Sequence, residues 1–133
     1  MTDVSFVIED ASSFDMRGSS HDSVFTCPPY GSMEHYTDYG AENFDESSFL
    51  DWWRRVVNMS VGLKTKIFAY QIDQSHKAMM NSVLEDCGWA LLDQISVGKN
   101  KLSHMNRRNG AVSKKNFEEI QVFVRNMENG VAL

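Results

Sequence analysis

Apolar residues recur along the chain at two spacings, one typical of helices and one of strands. Apolar side chains three and four positions apart predict a helix over residues 47–61, and Gly62 is a plausible stop. The same spacing predicts a second helix over residues 75–87, ending at Gly88. Short apolar runs rich in β-branched residues predict strands over residues 4–8, 23–26, 66–72, about 89–97, and 117–124.

This order of elements predicts the fold class. Strands and helices alternate through the middle of the chain, as in an α/β fold whose mostly parallel sheet is covered by helices. No helix is predicted between the last two strands, and Asn109-Gly110 is a turn signal. We therefore expect a C-terminal antiparallel hairpin. No internal repeat is visible, so residues 1–133 are expected to form a single domain with its own core.

Composition narrows the class of protein. Apolar residues make up 42% of the chain and charged residues 23%, as in ordinary globular proteins. No apolar run approaches the length of a membrane span, so no membrane association is expected. The beginning of the chain is acidic and polar, unlike a secretory signal, and two cysteines do not suggest a disulfide framework. A cytoplasmic location is therefore expected.

Basic charge is concentrated in one segment. The net charge is −5, yet residues 99–115 carry six basic residues and no acidic one. A segment of this kind suits contact with phosphates, and the alternative is a solvated loop rich in lysine. The basic residues are Lys99, Lys101, Arg107, Arg108, Lys114 and Lys115.

Candidate chemistry lies at Cys27-Pro28-Pro29-Tyr30, directly after the strand predicted over residues 23–26. Prolines cannot donate ladder hydrogen bonds, so the strand must end there. In open α/β sheets, ligands bind beyond the carboxyl ends of the strands. Two prolines leave carbonyl acceptors without competing N–H donors, which suits a substrate amino group. Tyr30 adds a ring that can stack on a base.

These residues resemble a known family. "VFTCPPYG" is similar to the catalytic loop of the S-adenosylmethionine-dependent amino-methyltransferases, which methylate adenine N6 or cytosine N4 in DNA. "YGSMEHYTDYG" is similar to the tail that follows that loop in many members. "VIEDASSF" resembles the preceding strand, whose acidic residue meets the adenine of the cofactor. The resemblance covers most of the chain and implies a partial Rossmann-like methyltransferase domain, the C-terminal part of the catalytic domain.

The resemblance also implies roles for individual residues. In a catalytic-type loop over residues 27–40, Tyr30 would stack on a base flipped out of its helix. The carbonyl of Pro28, the first proline of the Pro28-Pro29 pair, and the side chain of Cys27 would accept hydrogen bonds from the amino group. Asp10 and Ala11 would contact S-adenosylmethionine, with Glu9 as an adjacent alternative for the acidic residue. Apart from the resemblance, the charge of a basic hairpin over residues 97–117 favours contact with nucleic acid, with DNA favoured over RNA.

No metal is expected, since the spacings of cysteine and histidine match no zinc pattern.

The sequence departs from the family pattern in two ways. Position 27 is Cys, where the family has Asp, Asn or Ser, and a thiol is a weak acceptor. The family also has an aromatic-x-Gly-x-Gly cofactor loop after its first strand, whereas this sequence contains no Gly-x-Gly. The strands that the family places between those ending at Ile8 and Thr26 are missing as well. The segment 4–8 is therefore expected to pair directly with 23–26, or a second chain or self-association to cover the open sheet edge.

Two functions remain open from the sequence. One is the target-base half of an amino-methyltransferase, inactive alone or part of a split enzyme. The other is a non-catalytic module that binds nucleic acid or protein.

Overall fold

The computed structural model describes residues 4–28, 46–98, 117–128 and 131–132. The helices and strands predicted from residue 23 onward are confirmed, with boundaries within two residues. The helices are α1 (Glu46–Ser60) and α2 (Lys77–Asp86). The strands are β1 (Ser23–Thr26), β2 (Ile67–Asp73), β3 (Ala90–Gly98), β4 (Phe117–Val124), β5 (Met127–Glu128) and β6 (Val131–Ala132). The short β5–β6 pair was not predicted.

β1 to β4 form one sheet in the order β1-β2-β4-β3. β1 pairs with β2 in parallel, and β4 pairs antiparallel with both β2 and β3. β1, β2 and β3 therefore run in one direction and β4 runs against them. This confirms the predicted α/β class, the mostly parallel strand directions and the C-terminal antiparallel pair. The insertion of β4 between β2 and β3 is a feature that the sequence pattern did not predict.

Both helices pack on the same face of this sheet. The Trp53 ring of α1 lies 4.9 Å from the Tyr70 ring and 5.8 Å from the Phe68 ring, both on β2. Trp53 Nε1 also donates to the carbonyl oxygen of Met80 on α2, at 3.2 Å. In the sheet, β2 lies to one side of β1, and β3 lies further to the same side. Both crossover connections are therefore made in the same direction, and right-handed crossovers made in the same direction place their helices on the same face of the sheet.

The helical spacing of apolar residues produces this core. In α1 the apolar residues three and four apart are buried, and α2 buries a matching set against the same strands. Gly88 follows α2 with φ +94°, a conformation that costs glycine little and other residues more. The buried helical residues are Phe49, Trp53, Val56, Val57, Met80, Val83 and Leu84.

The connection from α1 to β2 is tied to both neighbouring strands. Thr65 Oγ1 donates to the carbonyl oxygen of His21 and accepts from the Gly62 N–H, both at 2.9 Å. Arg125 Nε donates to the carbonyl oxygen of Thr65 at 2.6 Å. A Cβ on Gly62 would overlap the carbonyl oxygen of Ser19, so only glycine fits without a shift. These contacts fix where β1 begins and hence where it ends.

The predicted strand at residues 4–8 is wrong. These residues adopt no strand, and the side chains of Phe6 and Ile8 are 93% and 105% exposed. The direct pairing of this segment with residues 23–26 is wrong too, because the described partner of β1 is β2. An apolar β-branched run becomes a strand only where a neighbour satisfies its backbone, and the described residues offer none.

Within the described ranges, no helix is long and apolar enough to cross a membrane.

Candidate functional site

The ends of β1, β2 and β3 and the beginning of β4 meet at one border of the sheet, here called the carboxyl edge. The register shows this, because Asp73 at the end of β2 pairs with Glu118, and Gly98 at the end of β3 pairs with Phe117. In open α/β sheets, ligands bind beyond such an edge. The candidate site is therefore the part of this edge next to β1.

Cys27 and Pro28 lie at the carboxyl edge, immediately after β1. The last pair of β1 with β2 joins Thr26 to Tyr70, so the next residues project beyond the ladder. Cys27 is an exposed free thiol, whereas Pro28 is buried. Of the first two residues of the Cys27-Pro28-Pro29-Tyr30 motif, Pro28 is therefore packed in the protein and the side chain of Cys27 lies in solvent.

Several candidate residues lie outside the described residues. These are Pro29, Tyr30 and the rest of the catalytic-type loop 27–40 beyond position 28. The basic hairpin 97–117 is described only at residues 97, 98 and 117, so its six basic residues also lie outside. Their assigned roles stay predictions.

Asp10 closes a tight turn with its own side chain. Its Oδ1 accepts from Ser12 N and Ser12 Oγ, each at 2.8 Å, and its backbone oxygen accepts from Ser13 N and Phe14 N, each at 3.0 Å. This is an Asx-type turn. The backbone N–H of Ser12 holds the pKa of Asp10 below its usual range, so the carboxylate is ionised at neutral pH. Ala11 is an exposed residue of the same turn.

Trp52 of α1 lies beside this carboxylate. Its Nε1 donates to Asp10 Oδ1 at 3.4 Å, and its half-buried ring stacks on Phe49 with centroids 5.8 Å apart. The two partners of this contact are 42 residues apart in sequence. No sequence signal brings them together, and nothing in the spacing of apolar residues in α1 marks Trp52 as a site residue.

This pair suits the adenosine part of a cofactor. A carboxylate accepts hydrogen bonds from ribose hydroxyls or an adenine amino group, and an indole ring offers a flat apolar surface. All the hydrogen bonds found to the Asp10 side chain use Oδ1. Oδ2 therefore remains available in the described part of the chain. The methionine part of the cofactor is different, because the Gly-x-Gly loop that would approach it is not in this sequence.

Asp73, further along the carboxyl edge, is buried and occupied in holding the turn into α2. Its Oδ1 accepts from His76 N at 3.3 Å and lies 3.0 Å from His76 Nδ1, while Oδ2 accepts from Ser75 Oγ at 2.9 Å. The N-cap residue of α2 is His76, without a side-chain cap bond, and Ser75 bonds to Asp73 instead.

A chain of polar side chains joins α2 to β4 beside the site. Asn81 Oδ1 accepts from the Tyr70 hydroxyl, and Asn81 Nδ2 donates to Gln121 Oε1 at 3.0 Å. Gln121 Nε2 donates to Glu119 Oε2 at 3.3 Å, and Lys77 Nζ donates to Glu119 Oε1 at 2.9 Å. Burial raises the pKa of Tyr70, so its hydroxyl stays protonated and serves as a donor. This network makes the strand–helix contact specific in register.

In the described part of the chain, no three His, Cys, Asp or Glu side chains lie together in a way that could hold a metal ion.

Comparison with known proteins identifies the fold. No family model and no curated protein matches the chain. Solved structures do. M1.HpyAVI matches with a TM-score of 0.58 and 19% identity over 89% of this chain and 53% of its own. Its complex with SAM matches with a TM-score of 0.53 and 20% identity over 81% and 44%. TTHA0409 of Thermus thermophilus, a candidate DNA modification methylase complexed with S-adenosyl-L-methionine, matches with a TM-score of 0.57 and 20% identity over 91% and 53%.

At this identity the likeness shows the fold alone, a Rossmann-like α/β fold that the chain shares with these structures. The chain spans about half the length of the structures it matches.

Proposed function

We propose that this chain is the target-base half of an amino-methyltransferase. It would hold an exocyclic amino group of cytosine or adenine in DNA for methylation by S-adenosylmethionine. A second polypeptide would supply the glycine-rich half of the cofactor site, so the chain alone is inactive or weakly active.

The observation that carries this proposal is the position of Cys27 and Pro28. They follow β1 at the carboxyl edge of a sheet whose fold is shared with structures solved with the methyl donor bound. Ligand crevices of open α/β sheets lie at that edge. Asp10 and Trp52, which contact each other at 3.4 Å, supply a carboxylate and a ring suited to adenosine.

The mechanism assigned to these residues is positioning. The carbonyl of Pro28 and the side chain of Cys27 accept hydrogen bonds from the amino group, which directs the nitrogen lone pair toward the incoming carbon. Tyr30 stacks on the flipped base and keeps it in that orientation. Orientation of this kind and preorganised acceptors are the main terms in such a transfer. Bound S-adenosylmethionine supplies the methyl group.

Asp10 gives a test of the cofactor site. In the complex with the glycine-loop polypeptide, Asp10→Asn should weaken S-adenosylmethionine binding about 10- to 100-fold, the loss expected for a hydrogen bond to a charged group. Isothermal titration measures it. Asp15→Asn is the matched control, since Asp15 is an exposed acid of the same segment bonded to Arg17. Equal affinities of the two variants would remove Asp10 from the site. No detectable binding, alone or with the products of neighbouring reading frames, would refute the enzyme proposal.

Tyr30 gives a test of the base site. Tyr30→Ala should weaken binding of a single-stranded oligonucleotide by about 1–3 kcal/mol, the usual value of one base–aromatic stack. Tyr30→Phe keeps the ring and should retain the affinity. Fluorescence anisotropy measures both. A loss of the same size in both variants would exclude stacking as the role of this residue.

A non-catalytic nucleic-acid-binding module is the second candidate. It is favoured by the six basic residues without an acid in residues 99–115, together with the missing Gly-x-Gly. Changing Arg107 and Arg108 to Ala should weaken DNA binding and reduce the salt dependence, by a slope of about 0.7–0.9 for each lost phosphate contact. An affinity that does not change in a gel-shift titration would count against this function.

A further inference from the structure

Apolar side chains lie on both faces of the sheet, whereas α1 and α2 pack on one of them. On β4, Glu119, Gln121 and Phe123 face the helices and are buried. The alternate residues Ile120, Val122 and Val124 lie on the other face and are only half-buried. Alternation of this kind normally turns the apolar set toward a core. The sequence is therefore patterned for a cover on the face that α1 and α2 leave open.

The register extends this apolar face across all four strands. Ile95 pairs with Ile120, Ile67 with Val124, and Phe25 with Ala69, so each shares the face of its partner. Phe25 and Ile95 are 59% and 47% exposed. We call this surface the open face; it is formed by Phe25, Ile67, Ile95, Ile120, Val122 and Val124.

Among the described residues, β1 is an edge strand of the sheet. It pairs there with β2 alone, and no described strand lies on its other side. β1 is four residues long, and a short strand with an unpaired side is a template for another strand. The strand-like segment 4–8, exposed and unpaired, is a second sign that sheet neighbours are missing.

We propose that the open face and the free side of β1 are the docking surface for a separate α/β polypeptide. That polypeptide adds a strand beside β1, packs a helix on the open face, and carries the glycine-rich cofactor loop. The assignment of the cofactor loop to this partner rests on the function proposed above, whereas the docking surface itself does not.

The topology selects this occupant. The strand order advances from β1 in one direction only, which accounts for both helices lying on one face. A doubly wound sheet reverses direction at a switch point, where its ligand crevice lies and where helices begin to cover the other face. Here that point falls beside β1, next to Cys27. A partner that continues the sheet there covers the open face and completes the crevice. A second copy would not supply the loop, since this sequence has no Gly-x-Gly.

The size of the surface suits such a partner. With strands about 4.8 Å apart and a rise of about 3.3 Å per residue, the four strands span roughly 19 by 25 Å, or about 400–500 Å² in projection. A stable complex buries about 800 Å² on each partner. The open face supplies about half of this, and the free side of β1 supplies further contact.

Site-specific photo-crosslinking tests the proposal. The full chain, carrying benzoylphenylalanine at Phe25, Ile95 or Leu63, is expressed in the organism that encodes it and irradiated. Leu63 is the matched control, because it is 65% exposed but lies in the connection between α1 and β2, off the open face. Positions 25 and 95 should give a discrete adduct at least tenfold more abundant than position 63. Mass spectrometry of that adduct should find peptides with an aromatic-x-Gly-x-Gly loop.

The outcomes separate the two proposals. No adduct above that of position 63, an adduct with a second copy, or a partner without the loop overturns this proposal. If the adduct forms as expected but the purified complex transfers no methyl group to DNA, the docking surface stands and the proposed function fails. Methyl transfer by the chain alone, without any adduct, would overturn both the docking surface and the second polypeptide of the proposed function, and would leave only the amino-methyltransferase activity.

Discussion

Asn81→Ala should destabilise the fold far more than the exposure of this side chain suggests. Asn81 is half-buried on α2, and it is the acceptor for the Tyr70 hydroxyl and the donor to Gln121 Oε1. Tyr70 and Gln121 are both 0% exposed. Removing the amide of Asn81 therefore leaves the buried hydroxyl of Tyr70 and the buried side-chain carbonyl of Gln121 without hydrogen-bond partners. Because both groups are buried, water does not replace the lost hydrogen bonds.

The magnitude follows from these two groups. Each buried group left without a partner costs about 1–3 kcal/mol, or about 2–6 kcal/mol together. Alanine is the better helix former and returns roughly 0.5–0.7 kcal/mol. The expected loss in the free energy of unfolding is therefore about 1.5–5 kcal/mol. At an ordinary slope of about 1–3 kcal/mol per molar urea, the unfolding midpoint should fall by at least about 0.5 M.

A double-mutant cycle isolates the cause. Tyr70→Phe should be destabilising in the wild-type background, where it removes a hydrogen bond. In the Asn81→Ala background it should be stabilising, because it removes the orphaned hydroxyl. Urea unfolding followed by tryptophan fluorescence measures all four proteins, with Ser82→Ala as the exposed control, expected within about 0.5 kcal/mol of wild type. A coupling below about 0.5 kcal/mol between the two positions would refute the network as described.

Two further predictions concern the segment before β1 and its contact with the connection between α1 and β2. Gly62→Ala should destabilise by about 1–3 kcal/mol in urea unfolding, because its Cβ overlaps the carbonyl oxygen of Ser19; Gly18→Ala, with nothing within 4 Å, should be neutral, and equal effects would contradict the overlap. Hydrogen bonds from the Arg17 side chain lower the pKa of Asp15 from an ordinary 3.8 to about 2, so the pair stabilises the segment above pH 3.8 and loses this contribution as the pH falls through about 2. A carboxyl NMR titration should show that midpoint, and Arg17→Ala should return it toward 3.8; a midpoint near 3.8 in both proteins would contradict the pairing.

Local pattern was sufficient for most elements of the sheet and helices. The spacing of Phe49, Trp53 and Val57 predicts α1, and these residues are buried where the helix meets the sheet. Such patterns report on one segment and its immediate surroundings. They carry no information on which strand lies beside which, so the insertion of β4 between β2 and β3 could not be predicted from them. The strand predicted over residues 4–8 is wrong for the same reason. Its pattern is that of a strand, but the pattern does not show whether a neighbouring strand is present.

The sequence predicted a site residue only where a residue with suitable chemistry directly follows a recognisable strand. Cys27 and Pro28 follow an apolar strand, so their place at the carboxyl edge could be inferred. The contact between Asp10 and Trp52 joins residues far apart, and nothing local to either indicates it. Gln121 is the reverse case. Its polarity suggests a solvent-facing position on β4, but Asn81 of α2 supplies a partner, so the side chain is buried.

The polar network and the ties around Thr65 bear on how this half of the site would assemble. They hold the two ends of the sheet in place through hydrogen bonds made within the described chain. Side chains and loops that are already ordered lose little entropy when a partner binds, so more of the apolar burial remains as affinity. The buried Pro28 extends this rigidity to the start of the catalytic-type loop. A docking partner would therefore meet a preformed sheet edge and open face, and association should change the conformation of α1, α2 and β1 to β4 very little.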